Sequence, residues 1–268
     1  ELWCQGYSEP NAGSDLANLS TRATLEGDEW VIDGQKVWTS LAHFSHWCFV
    51  LCRTDRDAPR HRGISYLLVP MDQPGIEVRP IVQITGTSEF NEVFFDGART
   101  AAENIVGEVN GGWRVAMGTL AFERGALTLG QQLTFMNEWR EIVETAKRRG
   151  NVADPILRQR LMQAWVELEI MKFTALRSLS SLEEGTLTRE TSISKLYWAT
   201  LHRELGNLAM DVLGPEAELA EGAPYDLTLA QRIFLFTRAD TIYGGSNQIQ
   251  RNVIGERALG LPPEPKVV

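Results

Sequence analysis

Cysteine is scarce in this chain, and the few present form no set. Cys4, Cys48 and Cys52 are an odd number among 268 residues and lack the paired spacing of a metal site, so no metal is expected. Cys48 and Cys52 stand four apart in an apolar run, where a strand would place both on one face. They are expected as reduced core thiols of a cytoplasmic protein. Basic charge is short as well: 26 lysines and arginines stand against 35 acidic residues, for a net charge of -9. A phosphate-backbone binder needs the opposite balance, so nucleic acid is not an expected partner. There is no apolar run near the roughly twenty residues that cross a bilayer, and the first residues do not read as a signal peptide. Internal repeats and low-complexity stretches are also missing.

What is present divides by hydrophobic period. From Thr21 to Phe95 short β-type runs alternate with turn signals, Gly27-Asp28 and Asp33-Gly34 among them, and continue through Trp47 to Arg53, Ile64 to Val69, Ile76 to Ile81 and Glu89 to Phe95. From Gly111 onward the period becomes helical: Gly112 to about Arg149, Pro155 to Glu184, Arg189 to Leu213, and Ser246 to Leu259. Trp113, Ala116, Met117, Leu120 and Leu127 make one apolar stripe on the first of these. Helices of this length without a sheet point to an antiparallel bundle. The expected fold is therefore α+β, with an antiparallel β domain over residues 1–107 followed by a C-terminal antiparallel helical bundle over 108–268.

Four short stretches carry chemistry, each with a plain structural alternative. Ser8-Glu9-Pro10-Asn11-Ala12-Gly13-Ser14-Asp15 crowds hydroxyls and free amides into a loop held by Pro and Gly, which suits recognition of a ligand edge; taken alone it reads as an ordinary turn. Trp38-Thr39-Ser40 sets an indole beside two hydroxyls, which can flank an aromatic cofactor or simply bury a tryptophan. Glu123-Arg124 lies at the edge of the apolar stripe, where a carboxylate is either a half-buried base or a solvated flank. Gly244-Gly245-Ser246-Asn247-Gln248 lets backbone approach a ligand ahead of a helix start, or is an ordinary loop and cap.

These stretches occur together and in order with IDGQKVWTS (32–40), NEVFFDGAR (91–99), VGEVNGGW (106–113) and YGGSNQIQRNVIGERALG (243–260), and over essentially its whole length the chain resembles the acyl-CoA dehydrogenases. That family oxidises acyl-CoA thioesters to 2,3-enoyl thioesters. The resemblance implies FAD held with contributions from both the β domain and the bundle. Tyr7, Ser8, Trp38 and Ser40 would line the flavin ring, with Ser14 nearer the acyl-CoA thioester and pantetheine. Ser246 and Gln248 would face FAD from the last helix, and Arg124 would lie on the substrate side. The arginine that meets the FAD pyrophosphate usually precedes Phe-Gly; here the segment reads Lys147-Arg148-Arg149-Gly150-Asn151, which leaves Arg148 as the candidate. A glutamine usual before a Gly-Gly pair is Asp211, and the pair reads Gly214-Pro215.

The largest departure concerns the base. Many members carry it as a glutamate in a Tyr-Glu-Gly-Thr loop, and that position is Gly244. Isovaleryl- and long-chain-acyl-CoA dehydrogenases carry it on a bundle helix immediately before an arginine, and Glu123 stands there. The resemblance thus implies Glu123 as the proton acceptor, with the Gly244 backbone N–H retained as a donor to the enolate oxygen. It also implies an electron-transferring flavoprotein as redox partner and a homo- or hetero-tetramer. Alternatives are a same-fold flavin oxidase or monooxygenase, and a non-catalytic subunit of a hetero-oligomer. Members carry a further helical domain of about a hundred residues ahead of this point, so the chain is expected to be a fragment or to receive that domain from another polypeptide.

Overall fold

A computed structural model of the chain describes residues 1–126, 128–183, 189–220 and 226–263, with side chains described for 1–120, 129–180, 191–220 and 226–263. The chain divides into two compact units, residues 1–120 and 121–268.

The first unit is built on strands β1 (Trp3–Gly6), β2 (Arg22–Glu26), β3 (Glu29–Ser40), β4 (Trp47–Arg53), β5 (Ile64–Pro70), β6 (Ile76–Ile81) and β7 (Phe90–Ala101). They form one sheet in the order β1-β4-β2-β3-β7-β6, with β5 also paired to β4. Most pairs are antiparallel, and the sheet is mixed because β1 and β2 meet β4 in parallel. The Gly27-Asp28 turn closes the β2–β3 hairpin as expected, with Glu26 opposite Glu29. Asp33-Gly34, expected as a second turn, instead lies inside β3 at a shift in register against β7. Here the glycine serves close approach, since a Cβ at Gly34 would fall 2.6 Å from the Thr21 Cα. Ile32, Cys48, Val50, Cys52, Leu67, Val69 and Val93 form the core of this unit. All three cysteines are free and buried.

Helices follow: α1 (Gly112–Ala126), α2 (Thr128–Arg148), α3 (Pro155–Glu183), α4 (Arg189–Leu213), α5 (Leu229–Asp240) and α6 (Asn247–Val253), the last running into a π turn over Ile254–Ala258. The run expected from Gly112 to Arg149 comprises α1 and α2, with residue 127 outside the described residues. In α1, Ala116 is buried with Trp113, Met117 and Leu120 packed about it, while Leu127 of the expected stripe also lies outside the described residues. The sequence pattern does not predict α5. A capping box starts it, with the Thr228 side chain accepting from the Gln231 N–H and the Gln231 side chain reaching back. Phe135, Leu161, Leu168, Leu205 and Leu208 lie at the centre of the helical core.

Candidate functional site

The loop over residues 8–15 is anchored by an ion pair that the motif spacing does not announce. Lys36 is fully buried, and its Nζ lies 2.8 Å from Glu9 Oε1 and 3.1 Å from the Tyr7 carbonyl. Glu9 accepts in addition from the Ser20 N–H and hydroxyl and from the Thr21 N–H. Burial disfavours the Glu9 carboxylate, but Lys36 and these donors outweigh it and hold its pKa at about 2. Each Glu9 oxygen is therefore engaged, and the loop's path is set from within. Tyr7 is buried beside Phe49 and Tyr66, Ser8 is half-buried with its carbonyl accepting from the Val37 N–H, and Ser14 is exposed.

Trp38-Thr39-Ser40 begins in a bulge of β3. Lys36 pairs with Val93 and Thr39 with Asn91, so three residue steps on β3 oppose two on β7. The extra residue breaks the strand's alternation: Lys36 and Thr39 point inward, while Trp38 and Ser40 are exposed. Trp38 takes φ +62°, a left-handed backbone rare for a bulky residue, and its side chain is 58% exposed with its edge against Phe90. Asn91, also buried, donates to the Thr39 carbonyl at 2.9 Å and so fixes the bulge from β7. The Thr39 Oγ1 is buried with no hydrogen-bond partner among the described residues. A strained, outward indole beside an unsatisfied hydroxyl is not what packing a core requires.

The Gly-Gly loop is the second unit's counterpart. Gly244 and Gly245 both have positive φ, +61° and +90°. A Cβ at Gly245 would fall 2.5 Å from Gln250 Nε2, and that amide donates to the Gly244 carbonyl at 3.1 Å. The Gly244 N–H donates to no acceptor among the described residues. Ser246 caps α6 through the Ile249 N–H, and Gln248 is exposed. The buried amide positions are instead Asn247 and Gln250, whose Oδ1 and Oε1 have no hydrogen-bond partner among the described residues. Helical spacing from the cap could have flagged them, since Asn247 and Gln250 share a face that Gln248 does not.

The remaining candidates are less engaged. Arg148 is exposed and bonds Thr145 on its own helix, whereas Arg149 reaches the Leu213 carbonyl and Glu216. Asp211 pairs with Arg160 at 2.7 Å. Glu123 and Arg124 lie on α1, and their side chains fall outside the described residues. The structure brings Trp38 and Ser40 onto one exposed end of β3, and Gly244, Ser246 and Gln248 onto one loop and helix start.

The acyl-CoA dehydrogenase middle-domain profile matches residues 4–98, and that of the acyl-CoA dehydrogenase C-terminal domain matches residues 110–259. The chain belongs to the acyl-CoA dehydrogenase family, whose members are FAD-binding oxidoreductases. Acyl-CoA dehydrogenase IpdE1 of Mycobacterium tuberculosis is 58% identical over 99% of this chain and 68% of its own length. Acyl-CoA dehydrogenase FadE34 of the same organism is 41% identical over 97% of this chain and 35% of its own length. Among solved structures, the Tcur3481-Tcur3483 steroid ACAD matches with a TM-score of 0.88 and 32% identity, over 98% of this chain and 68% of that one. The ChsE4-ChsE5 complex from Mycobacterium tuberculosis matches with a TM-score of 0.83 and 33% identity, over 98% and 69%.

Proposed function

We propose that this protein dehydrogenates a bulky, steroid-type acyl-CoA thioester at its α,β bond, with Glu123 as the base. The observation that carries the reading is the Gly244 loop: its carbonyl is fixed by Gln250 while its N–H is left for a ligand. The α-hydrogen of a thioester is weakly acidic, so removing it requires a donor that stabilises the developing oxygen charge. Gly244 supplies that donor without a side chain, and Glu123 on α1 takes the proton. A carboxyl held among apolar groups is raised toward neutrality, which would suit a base for so weak an acid. FAD, when bound, supplies the hydride acceptor. The residues present fit it: the Trp38 indole and Ser40 hydroxyl are exposed together, and Thr39, Asn247 and Gln250 each carry a buried oxygen without a hydrogen-bond partner among the described residues. Tyr7, Ser8, Ser246 and Arg148 complete the proposed cofactor contacts, with Ser14 and Arg124 on the thioester. An electron-transferring flavoprotein is the redox partner that the resemblance implies.

The substrate class draws on the solved neighbours, one of which is described as a steroid ACAD. Anaerobic bleaching of the bound flavin by short, branched, long and steroid-type thioesters tests it; fastest bleaching by a short linear thioester would count against it. Glu123→Gln is expected to keep FAD and lose bleaching by at least about a hundredfold, and normal bleaching in that variant removes Glu123 as the base.

A second chain in the working assembly is favoured by α3. Met162, Val166, Ile170 and Phe173 are exposed at helical spacing along it, an apolar stripe that one helix of a soluble unit does not leave to water. The two solved neighbours named above are two-component proteins by their descriptions. Ile170→Lys with Phe173→Lys is expected to lower the native mass while leaving the helical content unchanged, as read by light scattering and circular dichroism.

A further inference from the structure

A continuous chain of titratable side chains runs through the second unit and takes no part in the reaction just described. The Tyr243 hydroxyl donates to Asp240 Oδ1 at 2.6 Å, Asp240 Oδ2 lies 2.6 Å from His202 Nδ1, and His202 Nε2 lies 2.8 Å from Glu138 Oε2. These residues come from the loop after α5, from α5, from α4 and from α2. Asp240 is fully buried and His202 nearly so, with the Phe135 ring stacked on the imidazole at 3.7 Å.

A neutral imidazole has one donor nitrogen and one acceptor nitrogen. Here both nitrogens face carboxylate oxygens; with both carboxylates ionised, both nitrogens donate and the ring carries two protons and a positive charge. Burial opposes that charge; the hydrogen bonds to Asp240 and Glu138 and their negative charges outweigh it, and the His202 pKa is raised above its ordinary value. The other charges facing the group are Lys195, whose Nζ donates to the Asp240 backbone carbonyl, and Arg238, which is held by Asn207 and the Arg203 carbonyl. Two anions thus meet a buried imidazolium and a buried ammonium.

The chain ends where the proposed chemistry begins. Tyr243 is pinned at two points, by its hydroxyl on Asp240 and by its N–H on the Ala239 carbonyl at 3.0 Å. The next residue carries the Gly244 N–H, and the peptide that follows is held through the Gly244 carbonyl on Gln250. We propose that His202 is a positioning residue: an imidazolium held by Glu138 that fixes Asp240 and Tyr243 and thereby orients the Gly244 N–H. This rests on the reading of Gly244 as the donor to the thioester oxygen.

The test uses the FAD-loaded protein, its His202→Gln variant, and Tyr243→Phe, which keeps the imidazolium and loses only the last link. In ring ¹⁵N spectra, the signal missing from His202→Gln identifies this imidazole. Both of its nitrogens are expected to remain protonated above pH 6.5, the ordinary histidine value; a neutral ring at pH 7 overturns the proposal. Amide hydrogen exchange across residues 241–250 is expected to quicken about tenfold or more in both variants, whether or not the protein turns over. In kinetics, kcat is expected to fall about tenfold or more with little change in KM, and the wild-type fall in kcat as pH rises through the His202 pKa is expected to vanish in His202→Gln. Unchanged exchange, or unchanged kcat in both variants of an active enzyme, overturns the positioning role. Loss of all thioester bleaching in the wild type would instead contradict the proposed function, while ring protonation and loop exchange would still decide the positioning of Gly244.

Discussion

Trp38 occupies a backbone conformation that a tryptophan resists, and what compensates it decides how the residue is understood. A left-handed φ on a bulky side chain costs about 1–3 kcal/mol, and the edge contact with Phe90 returns about 0.5–1.5. Replacement by glycine relieves the backbone, so Trp38→Gly is expected to melt at the same temperature as the wild type or higher, yet to lose FAD affinity; a variant that keeps its flavin would show the indole to be structural. Glu9 and Lys36 behave in the opposite way. Breaking a buried pair leaves an unpaired charge, so Lys36→Met is expected to lose about 3–5 kcal/mol at neutral pH by denaturant titration. Because the folded Glu9 pKa is depressed from 4.5 to about 2, its contribution is present above 4.5 and disappears as pH falls toward 2. The wild type should therefore lose this stability in acid, and Lys36→Met should show a weaker acid dependence over that window. Sequence spacing singled out Trp38 and Ser40 but not Glu9 or Lys36, because a buried ion pair formed across 27 residues leaves no local period.

Among the elements, long periodic runs were legible and interruptions were not. The limits expected for β4, β6 and α4 match the structure. Asp33-Gly34 has the composition of a hairpin turn, yet tertiary contact with Thr21 absorbs it into β3. The second irregularity of β3, between Lys36 and Thr39, likewise depends on its partner strand, and only pairing against β7 reveals that Trp38 is turned outward. Helix α5 escaped notice because its buried positions, Gln231, Ile233, Thr237 and Asp240, include three polar residues, so no apolar stripe marks it. Two of those polar residues serve the loop regions: Gln231 binds the Ala217 and Leu219 carbonyls, and Asp240 anchors Tyr243.

At the scale of the molecule, the family was legible because its motifs keep their order along the chain even where one of them has changed. On the proposed reading Gly244 stands in place of a carboxylate and keeps a backbone donor; its φ is positive and its carbonyl is bound by Gln250. Position 244 also abuts Lys195, whose pKa burial lowers to about 8, partly offset by Asp240. A Cβ at position 244 would lie 3.6 Å from the Lys195 side chain, an ordinary contact, so a larger residue can be accommodated there at the expense of backbone strain. That makes the location of the base open to direct measurement. The account predicts that anaerobic flavin bleaching by a steroid-type acyl-CoA, abolished in Glu123→Gln, returns in part when Gly244→Glu is added. Full bleaching in Glu123→Gln, or none in the wild type, would contradict it.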